Sequence, residues 1–307
     1  MTIVATTSDD TPSFEHVTVL AKEVVRVLSP ERGGLFLDVT AGGGGHAAAI
    51  LETAQNARVI AFDRDPVAVE AAARRLARFG ERAMVVHCAF SGVSDWLRSG
   101  ELGPVEGVVA DLGISSQQLA DRERGMSFRN EGPLDMRMDP TAGETARELI
   151  ARVTQDELAD VIYQLGEERR SRRVAACIKQ ALVAGELETT LDLRRAVVRA
   201  VGPRRVGGID PATRTFQALR IAVNRELDEL RSLLDVLPDL LAPGGVAAII
   251  SFHSLEDRLV KRAFLERERW ERLHNKPIVA DEDERSENPR ARSAKLRAAR
   301  RVAEVVA

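Results

Sequence analysis

Between residues 34 and 115 the sequence alternates short apolar runs with helical patterns, an order that few folds accommodate. "GLFLDVT" (34–40), "ARVIAFDRDP" (57–66), "AMVVHCAF" (83–90) and "VEGVVADLGIS" (105–115) read as strands. "HAAAILETA" (46–54) and "VAVEAAARRLARFG" (67–80) read as helices between them, and "VTVLAKEVVRVL" (17–28) as a helix before them. Strands and helices in strict alternation predict a parallel sheet covered on both faces.

The alternation stops near Leu119 and resumes after Ala222 with the helix "RELDELRSLLDVLPDLL" (225–241), a Pro-Gly-Gly turn and the strand in "APGGVAAIISFHS" (242–254). The expected organisation is therefore a flexible polar leader (1–15), an α/β domain made of 16–120 and 223–307, and an inserted, mainly helical domain (121–222). The tail reads as an acidic loop, "DEDERSE" (281–287), then a basic stretch, "NPRARSAKLRAARRVAEV", which suits an edge strand or a basic helix, the strand being favoured because it would complete the sheet. Aromatic residues are only 4% of the chain, so Leu, Val, Ile and Ala must build the core.

No apolar run approaches the roughly 20 residues that cross a bilayer, and the first fifteen residues lack the basic start and apolar block of a secretion signal. Cys88 and Cys177 are isolated and predict neither a disulfide framework nor a zinc site, so the expected compartment is the cytoplasm. The five histidines show no ligand spacing, and no metal is expected. Net charge is −3, yet residues 169 to 225 hold 13 Lys/Arg against 4 Asp/Glu, leaving −12 for the rest. A basic block on an acidic body is either a solvated helical surface or one anion-binding face. Arg204, Arg205, Arg214, Arg220 and Arg225 are its candidate anion contacts.

"DVTAGGGGHAAAI" (38–50) joins the first strand to its helix. Glycine lets backbone amides approach a ligand, and the helix start points further amides at the same place. Gly42-x-Gly44 followed by Ala47 suits a dinucleotide. Asp38-x-Thr40-x-Gly42-x-Gly44 also resembles the D-x-G-x-G-x-G turn of S-adenosylmethionine-dependent methyltransferases, with Thr40 in place of the first Gly. Asp63, at the end of the second strand, suits ribose hydroxyls in either case, or caps the helix before Pro66. Three features favour the methyltransferase. Asp38 is placed to face the ligand's ammonium group, "LLAPGGVAAII" resembles that class's turn before the fifth strand, and Asp111 stands at the tip of the fourth.

Longer blocks carry a closer resemblance. "HVTVL" (16–20), "GGGGH" (42–46), "DRDP" (63–66), "DLGISSQQL" (111–119), "RGMSF" (124–128), "EGPLDMRMD" (131–139), "DPATRTFQALRIAVNREL" (210–227), "ISFHSLEDRLVKR" (250–262) and "NPRARSAKLR" (288–297) occur in the order found in the ribosomal RNA small-subunit methyltransferase H family. The chain resembles that family over nearly its whole length after the leader. Asp210 stands where many relatives have His, and Met126 where many have Phe.

The resemblance implies a Rossmann-like class I methyltransferase sheet, S-adenosyl-L-methionine as cofactor, and N4-methylation of a cytidine in the decoding region of 16S ribosomal RNA within the small ribosomal subunit. It permits a homodimer and implies no membrane partner. Carried over residue by residue, it implies cofactor contacts at Gly44, Gly45, His46, Asp63, Phe90, Asp111 and Gln118. The target base must leave its stack to react. Asp111 is the catalytic candidate, as acceptor for the N4 hydrogen. "DLGIS" lacks the prolines and aromatic of the usual amino-methyltransferase block at this strand end. Asp135, Arg137, Arg214 and His253 are expected at the substrate, although an Asp135–Arg137 network that only braces the fold is an equal reading. A non-catalytic ribosome-assembly factor and a nicotinamide dehydrogenase are the competing functions. The intact Asp38, glycine turn, Asp63 and Asp111 oppose the first, and the Asp38 position and Pro-Gly-Gly turn oppose the second.

Overall fold

The computed structural model describes residues 18–203 and 210–303. The leader, His16, Arg204 and Arg205 lie outside these residues. Seven strands form one sheet: β1 Gly34–Asp38, β2 Ala57–Asp63, β3 Ala83–His87, β4 Val105–Asp111, β5 Leu241–Ser251, β6 Trp270–Arg272 and β7 Lys295–Arg301. Their order is β3-β2-β1-β4-β5-β7-β6. The first five run parallel, while β7 is antiparallel to β5 and β6 antiparallel to β7. The chain winds outward from β1 to β3, then returns to place β4 against the other side of β1. That reversal is the topological switch at which doubly wound, Rossmann-like sheets open a crevice beyond their carboxyl ends.

Two apolar layers close the sheet. One carries Val24, Ile50, Leu51 and Ala72 against Phe36, Val59 and Ile250; the other carries Val93, Leu97, Leu230, Leu233 and Leu237 against Leu37, Phe62 and Ile249. The central strands are buried on both faces, which is why they read as continuous apolar runs.

The segment 134–219 encloses a third core, with Leu158, Ile162, Val174, Ile178, Leu193, Val197 and Leu219 inside. Its helices Ala146–Arg152, Gln155–Gly166 and Thr190–Val201 each start in a capping box, formed by Thr145/Glu148, Thr154/Glu157 and Thr189/Asp192. Gly166 lets helix Gln155–Gly166 meet helix Thr213–Asn224: a Cβ there would lie 2.5 Å from the Arg214 carbonyl oxygen. The chain on either side of this segment is pinned to the turn after β2 by Asp65–Arg124 at 2.7 Å, both buried, and by Arg64 Nη1 donating to the Asn224 carbonyl at 2.8 Å.

Several expectations change. The tail does form a strand, but β7 is interior. The edge is β6, three residues anchored by Trp270 on Phe264 at 5.1 Å between ring centroids, too short to leave a periodic signal. The acidic 281–287 stretch is not a loop but a helix, Glu282–Glu287, started by the Asp281 side chain. The Pro-Gly-Gly is a bulge inside β5, where the β4 register jumps between Val105 and Gly107. Phe90 leaves the strand and opens helix Phe90–Ser99.

Candidate functional site

Beyond the carboxyl ends of β1, β2 and β4 lies a cleft of about 1020 Å³, open to solvent. The turn after β1 supplies its floor. Gly42, Gly43 and Gly45 line it, but Gly44 does not. Gly44 is buried with φ +76°, and a Cβ there would sit 3.3 Å from Ala72 Cα, so the glycine meets a backbone and packing requirement of the turn. Gly43 would project its Cβ into open space. The amides of Gly45 and His46 open helix Gly45–Thr53 and have no acceptor among the described residues.

Asp38 does not line the cleft either. It is fully buried, and its carboxylate accepts from the amides of Thr40 at 3.1 Å and Ala47 at 3.2 Å. It locks the turn, and burial raises its pKa. Thr40, the residue in place of the usual glycine, accepts at Oγ1 from the Asp111 amide at 2.6 Å.

Asp63 lines the cleft and accepts from the Gly42 amide at 2.8 Å and the Asp65 amide at 2.9 Å. Burial outweighs those bonds and pushes its carboxyl up to about 6. The helix after β2 is capped by Asp65, which accepts from Val67 N, and not by Asp63. Asp111 is mostly buried at the tip of β4, with Oδ2 3.8 Å from His46 Nε2 and Oδ1 unpartnered among the described residues. His46 is 3% exposed, and neither ring nitrogen has a hydrogen-bond partner among them. Burial alone would lower its pKa, but the Asp111 and Asp38 carboxylates reverse the direction and raise it. A buried carboxylate oxygen and an imidazole left unpaired at the mouth of a cleft are places for a ligand's polar atoms.

The MraW methylase family model matches residues 13–302. The chain belongs to that family. It is 63% identical over 288 residues, 94% of this chain and 91% of the relative, to a ribosomal RNA small subunit methyltransferase H from Sorangium cellulosum. It is 50% identical over 297 residues, 96% of this chain and 97% of the relative, to the protein of that name from Synechococcus elongatus. Among solved structures, a putative rRNA-methylase from Clostridium thermocellum is similar with a TM-score of 0.45 at 10% identity, over 94% of this chain and 97% of its own.

In this MraW-family chain, Gly45, His46, Asp63, Phe90, Asp111 and Gln118 converge on the cleft. Gln118 is nonetheless committed to the fold: its Nε2 donates to Asp65 Oδ2 at 2.8 Å, and its Oε1 accepts from the Ser115 amide in a capping box. Asp135, Arg137, Arg214 and His253 do not line the cleft. Arg137 grips Asp135 through two bonds of 2.7 and 2.8 Å, a brace within one loop. Arg214 is exposed and donates to the Glu167 carbonyl at 3.2 Å. His253 caps helix Ser254–Ala263 through Nδ1. Arg220 is not free for a phosphate, being held by Glu226 at 2.7 and 2.8 Å.

The cleft also contains groups that the sequence did not single out. Glu226, Glu229, Glu256 and Arg290 line it. Arg290 donates to the Ile114 carbonyl at 2.7 Å and lies over the Phe252 ring at 5.3 Å; burial lowers its pKa while Asp111 opposes the shift. "NREL", "SLEDR" and "NPRAR" contained three of these four residues, but only the tertiary fold brings them to β4. Glu226, His253 and Glu256 come within 4.8 Å of one another, a grouping that histidine spacing could not reveal. Their oxygens already serve Arg220 and the Phe252 and His253 amides. No helix among the described residues is long and apolar enough to cross a membrane.

Proposed function

We propose that this chain transfers a methyl group from S-adenosyl-L-methionine to the N4 amine of a cytidine in the decoding region of 16S ribosomal RNA, in the cytoplasm and on the small ribosomal subunit. The observation that carries the reading is the unpartnered Asp111 Oδ1 beside the glycine turn, in a chain of the MraW methylase family.

The residues present suit the cofactor: bare backbone at 42, 43 and 45, two open amides at the helix start, the Asp63 carboxylate at β2 and the Phe90 ring across the cleft. When bound, the cofactor supplies a methyl group already activated on a sulfonium. Asp63 would accept the ribose hydroxyls, and Phe90 would pack against the adenine. Cytosine N4 is a weak nucleophile because its lone pair is delocalised into the ring. Asp111 Oδ1 would accept its N–H and offset the positive charge that develops on nitrogen. Alignment and exclusion of water supply the remainder. We read 121–222 as an inserted RNA-binding unit whose surface arginines, Arg214 among them, neutralise phosphates.

The test is methyl transfer from labelled cofactor to small subunits that lack the modification, followed by nucleoside analysis. Labelled N4-methylcytidine, lost in Asp111→Ala, is the expected result. Label in another nucleoside moves the substrate, and failure to bind the cofactor overturns the reading.

A further inference from the structure

Tyr163 is the chain's only tyrosine, and it stands 59% exposed on helix Gln155–Gly166, whose opposite face buries Leu158 and Ile162. It borders a shallow, open groove facing helix Ser171–Val183, lined also by Arg169, Arg170, Arg172 and Arg173. Asp160 is the one acid in the lining, so the groove carries an excess of three positive charges. The arginines are poorly neutralised. Arg172 reaches Asp156 only at 3.5 Å, both about 80% exposed, a pair worth little in water. Arg170 donates to the Val201 carbonyl, while Arg169 and Arg173 have no carboxylate within ion-pair distance among the described residues.

The Tyr163 helix also ends against a helix that reaches the cleft. Glu167, just past the end of the Tyr163 helix, accepts from Ser254 Oγ at 2.9 Å and Arg258 at 3.3 Å. Both belong to helix Ser254–Ala263, whose Glu256 lines the cleft.

We propose that this groove holds an unpaired segment of the RNA adjoining the target, with one base stacked on the Tyr163 ring and its phosphates on Arg169, Arg172 and Arg173. The proposal rests on the ribosomal RNA reading above and adds a second contact to it, outside the cleft. An exposed aromatic ring among unneutralised cations suits single strands, because only an unpaired base offers its face for stacking.

The test measures fluorescence anisotropy of a labelled 15-nucleotide single-stranded RNA across a salt series, together with methyl transfer to small subunits and cofactor affinity. Tyr163→Ala is expected to weaken RNA binding roughly tenfold, and Tyr163→Phe to preserve it. Arg169→Ala/Arg173→Ala is expected to lower the salt slope by about 1.4, near 0.7 for each phosphate left without its arginine. KM for the subunit rises in Tyr163→Ala and in the double variant, while cofactor affinity and melting temperature hold. Unchanged RNA affinity and slope in those two proteins, or equal competition by a duplex of the same length, overturns the proposal. Wild-type protein that transfers no methyl group, with RNA affinity still reduced in the variants, sinks the methyltransferase reading and leaves the groove standing.

Discussion

The Asp111 backbone N–H donates to Thr40 Oγ1 at 2.6 Å, tying the tip of β4 to the end of β1. Thr40 in turn donates to Asp38 Oδ1 at 3.4 Å, so the buried acid, the hydroxyl and the β4 tip form one chain of bonds. Thr40→Val keeps the shape and removes the acceptor, leaving the Asp111 amide unpaired at a cost of about 1–3 kcal/mol. We expect kcat to fall roughly tenfold or more with the cofactor KM little changed, and Thr40→Ser to recover most of the activity. Steady-state kinetics of the three proteins checks this.

Asp63 titrates where it can be observed. Its carboxyl is raised from 3.8 to about 6 by burial, and the ribose contact proposed above would be made by the carboxylate. Cofactor affinity should therefore be flat above about pH 7 and fall toward tenfold per pH unit below about 6. A raised carboxyl pKa stabilises the fold below about pH 4, and that contribution is lost as pH rises through about 6, amounting to at most about 3 kcal/mol. Calorimetric titration from pH 5 to 8 checks the first claim. Asp63→Asn should abolish the pH dependence along with most of the affinity.

Gln118 and Arg124 meet at Asp65, which is 1% exposed. Arg124→Ala leaves that acid buried without its cation and should cost about 3–5 kcal/mol. Gln118→Ala removes one hydrogen bond to Asp65 and one in a capping box, and should cost about 1–2 kcal/mol. If Gln118 acts only through the fold, its replacement lowers the melting temperature while cofactor affinity changes less than about twofold at 25 °C. A large affinity loss in a fully folded variant would restore the direct cofactor contact.

Gly166→Ala tests the packing of the inserted helices. Its Cβ would press on the Arg214 carbonyl at 2.5 Å and on Ala218 Cβ at 3.1 Å, so the two helices must separate. We expect a loss of about 1–3 kcal/mol in chemical denaturation. Gly43 lines the cleft and a Cβ there would meet nothing within 4 Å, so Gly43→Ala should leave stability nearly unchanged and instead weaken cofactor binding.

Strands β1 to β5, their parallel order and the helical interruption are legible in the chain alone, because apolar period and turn residues are local properties. So are Asp63, Asp111 and the glycine turn, each set at a strand end by its neighbours in the chain. Which way the polar groups face is a matter of packing. Asp38 and Gly44 stand in the glycine motif beside residues that line the cleft, yet both are buried and neither lines it. Arg290 and Glu226 lie more than a hundred residues from Asp111 and reach the cleft because β4 pairs with β5 after the insertion. A local motif encodes backbone shape. The charge and hydration around a site depend on segments brought together by long-range packing, and no spacing within one segment records them.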